Sequence, residues 1–135
     1  MEKQAKREVA FLYIYSQEFL KQNSRNQVKI FLDTNDINDA KCREYVKDVA
    51  SGLKEHEAEI TDIIANNLKS GWTIDRISTI DLALLKLAIY EIKYKQTPYK
   101  IVINEIVEYA KSYGEEASKS FINGVLASVV QAMNL

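Results

Sequence analysis

Apolar residues recur at helical spacing through almost the whole chain. Val9, Leu12, Phe19 and Leu20 fall on one stripe, and Phe11, Ile14 and Tyr15 on its neighbour, which predicts a first helix over about 3–21. Residues 23–35 are polar and irregular, apart from an apolar piece over 28–32 that predicts a small helix. Asn35 or Asp36 can cap the next helix. Its apolar positions, Cys42, Tyr45, Val46, Val49 and Leu53, keep a three-four spacing, and the phase continues through Ile60, Ile63, Ile64 and Leu68. The pattern admits either one long helix over 36–69 or an interruption at Gly52. Ser70 and Gly71 end the element, and Trp72 opens a linker that contains Ile74 and Ile77.

The segment 78–95 is apolar on more than one face. Ile80, Leu84, Leu87 and Ala88 line one side, and Leu85, Ile89 and Ile92 another. A helix of that kind is packed on several sides, so it is the expected hub of the fold. Thr97-Pro98 reads as a helix start, with Thr97 as the cap and Pro98 in the first helical position. Val102, Ile103, Ile106, Val107 and Ala110 form the buried stripe of this helix, and Gly114 stops it. The last helix begins near Glu116 and buries Phe121, Ile122, Val125, Leu126, Val129 and Met133. Asn123-Gly124 is a hairpin signal elsewhere. Here the helical phase runs through it, and Gly124 is expected to be a close-packing position. No segment alternates like a strand. The fold class is therefore all-α, with about six to seven helices.

Composition narrows the range further. The 135 residues suit one domain over 1–135, 47% of them are hydrophobic, and only four glycines and one proline interrupt regular structure. No apolar run approaches the roughly 20 residues that span a bilayer, and no signal-peptide core follows Met1. A single cysteine, Cys42, excludes an internal disulfide. A cytoplasmic protein without a membrane association is expected. The net charge of −1 means that any nucleic-acid site must be a local basic patch balanced by acidic surface elsewhere.

Catalytic and metal chemistry find little support. One histidine and one cysteine make no metal-ligand set, so no metal and no cofactor are expected. His56, among Glu55, Glu57 and Glu59, reads as a solvated surface histidine, and Cys42 as a small core residue. No glycine-rich phosphate loop is present. One constellation suggests binding: Lys3, Arg7, Phe11 and Tyr15 are spaced by four and share a helix face, with Lys6 beside them. Cations contact phosphates and an aromatic ring stacks on an unpaired base. Spacing alone favours the plainer reading, with Phe11 and Tyr15 in the core and the lysines as solvated surface.

Two stretches resemble a known family. Residues 98–126, PYKIVINEIVEYAKSYGEEASKSFINGVL, are similar to the C-terminal signature of the NusB family: PYK, INE, an ExAK unit ending at glycine, and F[VI]NGVL. IDLALLKLAIYEI over 80–92 resembles that family's "AxLRLAxYEL" segment, and KREVAFLYIYSQEF over 6–19 its first helix. The resemblance implies two packed helical bundles. It also implies a transcription antitermination factor that binds single-stranded boxA-type RNA of ribosomal leaders together with NusE, a small-subunit ribosomal protein, and joins the elongating RNA polymerase. Such a factor is not an enzyme.

Carried over position by position, the resemblance implies RNA contacts at Lys3, Lys6, Arg7, Tyr15, Lys100, Ser118, Lys119 and Phe121, and partner contacts at Asp75 and Asp81. The basic start is thinner than in many relatives, because Glu2 and Glu8 lie among Lys3, Lys6 and Arg7. RNA binding by the chain alone is therefore expected to be weak and to strengthen with NusE. The competing reading is a helical interaction module, monomeric or homodimeric, with a hidden RNA surface. A domain attached to an RNA methyltransferase is the third, and the 135 residues hold no cofactor-binding loop for it.

Overall fold

The computed structural model describes residues 5–20 and 27–135, except the side chains of Phe19 and Leu20. Seven α-helices follow in order among them: α1 (Lys6–Leu20), α2 (Gln27–Thr34), α3 (Ala40–Glu55), α4 (Glu57–Asn66), α5 (Thr79–Ile89), α6 (Tyr99–Tyr113) and α7 (Ser118–Ala132). A 3-10 turn, Ile74–Arg76, precedes α5, and a π-helical segment, Tyr90–Tyr94, extends it. No strand occurs among the described residues. No helix among them is long and apolar enough to cross a membrane.

Helix α5 is the hub, as its pattern predicts. Ala83, Leu84, Leu85, Leu87, Ala88 and Ile89 are all fully buried. Helices α1, α3, α4, α6 and α7 all pack against it. A continuous core results, from Phe11 and Ile14 of α1 through Val46, Val49, Ile60 and Ile64 to Val102, Ile106, Ile122 and Leu126. Three charged residues of the hub segment, Asp81, Lys86 and Glu91, are also enclosed, and two of them have a charged partner. Lys86 pairs with Glu18 of α1, and Glu91 with Arg7. Burying a charge is tolerated when an opposite charge accompanies it.

Several helix ends differ from the sequence expectation. Helix α3 is capped by Asp39, whose carboxylate accepts the Lys41 N–H at 3.1 Å. Asn35 instead closes the preceding helix, donating its side-chain N–H to the Phe31 carbonyl at 2.8 Å. An amide can donate as well as accept, so the same residue serves either end of a helix. The 36–69 region divides at His56, not at Gly52. Helix α3 runs through Gly52, where the Tyr90 ring lies so close that a Cβ would collide with it.

The His56 ring is only partly exposed and stacks on Tyr94, with centroids 3.8 Å apart, so it is not simply solvated surface. Cys42 is core, and burial pushes its thiol pKa up. Pro98 rather than Thr97 occupies the cap position of α6, and its carbonyl accepts the N–H groups of Ile101 and Val102. Helix α7 starts at Ser118, two residues after the expected Glu116. Gly124 is exposed, and a Cβ on it would meet nothing within 4 Å among the described residues, so it is not a close-packing position.

Candidate nucleic-acid interface

Lys3 lies outside the described residues. Arg7 lies in the first turn of α1 with its side chain turned inward. It is 9% exposed. Its Nε and Nη2 donate to the two carboxylate oxygens of Glu91, the latter at 2.9 Å, and Nη1 donates to Glu105 of α6. Tyr109 donates its hydroxyl to the other Glu105 oxygen at 2.7 Å. This two-pronged pairing uses the planar fork of arginine, and the Glu91 hydrogen bonds raise the Arg7 pKa beyond its ordinary value. Arg7 was expected at a phosphate. Its guanidinium is instead enclosed by two carboxylates and joins α1 to the π segment and α6.

Phe11 is likewise buried, against Tyr15, Tyr109 and Tyr113. Tyr15 is half-buried and packs on the core. Lys6 is exposed, with its ammonium 4.9 Å from the centre of the Tyr45 ring.

The C-terminal candidates gather around the linker and the start of α7. Trp72 is 44% exposed and its ring meets that of Phe121 at 5.7 Å. The Arg76 guanidinium lies 5.3 Å from the Trp72 ring centre. On one side of this aromatic pair is a cleft of about 210 Å³, lined in part by Arg76, Ser78, Asp81, Glu115 and Ser118. Two expected RNA residues, Ser118 and Phe121, thus share a cleft with an expected partner residue, Asp81. Ser118 is buried, and its hydroxyl accepts the Glu115 N–H at 3.0 Å, which braces the turn into α7.

Asp81 is 7% exposed, and its Oδ1 has no hydrogen-bond partner among the described residues. Ser78, not Asp81, caps α5 by accepting the Asp81 N–H. Burial raises the Asp81 pKa, against the stabilising influence of Ser118 and Ser78 on its charged form. The carboxylate is thus buried and incompletely paired at the edge of the cleft, an arrangement that costs stability. Asp75 is exposed in the 3-10 turn, where it accepts the Thr73 hydroxyl.

On the other side of the aromatic pair is a larger groove of about 540 Å³ between the end of α4 and α7. Lys119 is exposed at the start of α7. Lys100 stands apart, in a shallow groove between α6 and α7 shared with Asn104 and Asn123. Of the expected residues, the structure brings Asp81, Ser118 and Phe121 together, with Trp72, in one cleft, whereas Lys6, Tyr15, Lys100 and Lys119 do not line it. Sequence reasoning missed Trp72 and Arg76 as a pair. The available signal was a large aromatic in a polar linker, four residues before an arginine.

No group of three or more His, Cys, Asp or Glu that could hold a metal occurs among the described residues. A NusB family model matches residues 4–131. The transcription antitermination protein NusB of Acetivibrio thermocellus is 42% identical over 132 residues, covering 97% of this chain and 90% of that protein. The NusB of Ruminiclostridium cellulolyticum is 37% identical over 132 residues, covering 96% and 88%. Among solved structures, T. maritima NusB superposes with a TM-score of 0.83 at 29% identity, over 96% of this chain and 93% of that one. NusB in a complex of the antitermination factors NusB and NusE with double-stranded RNA matches with a TM-score of 0.85 at 27% identity, over 94% of each chain. Sequence and fold agree over nearly the full length: the chain belongs to the NusB family.

Proposed function

We propose that this chain is a transcription antitermination adaptor that binds boxA-type RNA together with a NusE-type ribosomal protein and joins the elongating RNA polymerase. The observation that carries this reading is the full-length match, in sequence, to NusB antitermination proteins and, in fold, to a NusB bound to NusE and RNA. The role is one of binding, and none of its steps requires a catalytic residue. We assign the RNA surface to Lys6, Tyr15, Lys100, Lys119 and Phe121, with Lys3 as an extension of the basic start. Arg7 and Ser118 are assigned to holding that surface in shape, because their polar atoms are engaged inside the protein. Asp81 and Asp75 are assigned to the basic partner, since a carboxylate with an open lone pair recognises a cationic N–H donor and acidic surface speeds encounter with it.

Fluorescence anisotropy of labelled RNA tests the reading, with boxA-type single strands and the corresponding duplex, each with and without NusE. The expected result is weak binding alone, at least about tenfold tighter binding of the single strand with NusE, and a steep loss with salt as counterions are released. Equal affinity with and without NusE would overturn the cooperative part. Absence of RNA binding in the presence of NusE would overturn the whole.

A further inference from the structure

Gly124 occupies the middle of α7, where glycine weakens a helix. Two ordinary reasons for a glycine are absent. Its φ is not in the left-handed region, and a side chain added there would point into open space. The remaining reason is the approach of something from outside the chain to a bare stretch of backbone.

What surrounds Gly124 defines that visitor. It lines the groove of about 540 Å³ with Asn66, Lys69, Trp72, Phe121 and Ser128. Lys69 carries the only formal charge among the lining residues described. Trp72 presents a partly exposed ring, backed by Phe121 and flanked by Arg76. The exposed amide of Asn66 offers a donor and an acceptor without formal charge, and the Ser128 hydroxyl, which donates to Asn67 at 2.7 Å, can still accept. An aromatic wall, neutral hydrogen-bonding groups and nearby cations are the chemistry of a site for an unpaired nucleotide. A base in a duplex has both faces covered by its neighbours and cannot use the ring.

We propose that Gly124 is kept bare so that one unpaired nucleotide of the bound RNA enters this groove, its base stacked on Trp72 and its phosphate near Lys69. The inference deepens the RNA reading above and rests on it.

Trp72 is the chain's only tryptophan, so its emission reports on the groove directly. The experiment titrates the single-stranded boxA-type RNA into the full chain with NusE, and reads labelled-RNA anisotropy on the wild type, Gly124→Leu, Trp72→Phe and Trp72→Ala, and Trp72 emission on the wild type and Gly124→Leu. Thermal denaturation is recorded on each free chain. The expected result is quenching of Trp72 by RNA in the wild type, and about tenfold weaker RNA binding in Gly124→Leu. The melting temperature of Gly124→Leu should be no lower than the wild type's. Trp72→Phe should retain more affinity than Trp72→Ala.

RNA binding with unchanged Trp72 emission and an unaffected Gly124→Leu would overturn the groove and leave the RNA reading standing. Loss of NusE binding by Gly124→Leu, with binding of RNA alone unchanged, would make the groove a protein site and overturn the proposal. No RNA binding by the wild type would overturn both.

Discussion

At the scale of single residues, two buried ionisable groups have opposite energetic roles. Arg7 is enclosed with its counter-charges, so removing it strands Glu91 in the interior. Arg7→Ala is expected to cost about 3–5 kcal/mol in urea unfolding, the range for breaking a buried pair by deleting one partner. Arg7→Lys should recover only part, because a single ammonium cannot reproduce the two-pronged contact. A loss below about 1 kcal/mol would mean that the pair is solvated in the native protein.

Asp81 works the other way. Its folded pKa is raised by burial, so the stability it contributes is present below the ordinary carboxylate value and lost as pH rises through the raised one. At neutral pH the buried carboxylate opposes folding. Asp81→Asn is therefore expected to melt higher than the wild type at pH 7, with the gap closing as pH falls towards about 4. In a pull-down with NusE the same variant should bind less well. A lower melting temperature for Asp81→Asn at pH 7 would contradict the assignment.

At the scale of elements, two glycines inside helices separate cleanly by what lies beyond their Cα atoms. Gly52 in α3 faces the Tyr90 ring of the π segment, and Tyr90 is fixed by a 3.1 Å hydrogen bond from its hydroxyl to Asp48. Gly52→Ala should destabilise by about 1–3 kcal/mol, as overpacking does. Gly124→Ala, in open space on α7, should instead stabilise by about 0.5–1 kcal/mol through helix propensity. Chemical denaturation of both variants checks the pair, and effects of the same sign would refute the distinction.

The helical phase was legible in both places, but the use of each glycine was not. Periodicity places a residue on a face of its own helix, whereas the object facing it belongs to another element. The same limit explains the division at His56. No glycine or proline marks it, and the apolar phase of α3 runs into that of α4, yet α4 turns away to pack on α5 and α7.

At the scale of the whole molecule, a net charge of −1 is compatible with RNA binding only if the charges are segregated. Lys6, Lys100 and Lys119 are exposed, while Arg7 and Lys86 are neutralised internally. Each surface lysine that meets a phosphate should contribute about 0.7 to the slope of log affinity against log salt for single-stranded RNA. Lys6→Ala and Lys119→Ala are each expected to lower that slope by about this amount. Arg7→Lys, compared at a temperature where it is folded, should leave the slope unchanged. A drop in slope for Arg7→Lys would return Arg7 to the phosphate contacts.

The sequence by itself determined the all-α class, the central position of α5 and the family. Each depends on local periodicity or on motifs contiguous in the chain, such as INE and FINGVL. Tertiary structure decided what the individual polar residues do. Arg7 and Glu91 are 84 positions apart, as are no two residues that a helical repeat can relate, and only packing of α1 against the π segment brings them together. Trp72 and Phe121 meet in the same way across α5 and the loops around it. A local pattern records which face of a helix is apolar. Whether a cation on that helix meets a carboxylate or water depends on the neighbour that burial places beside it.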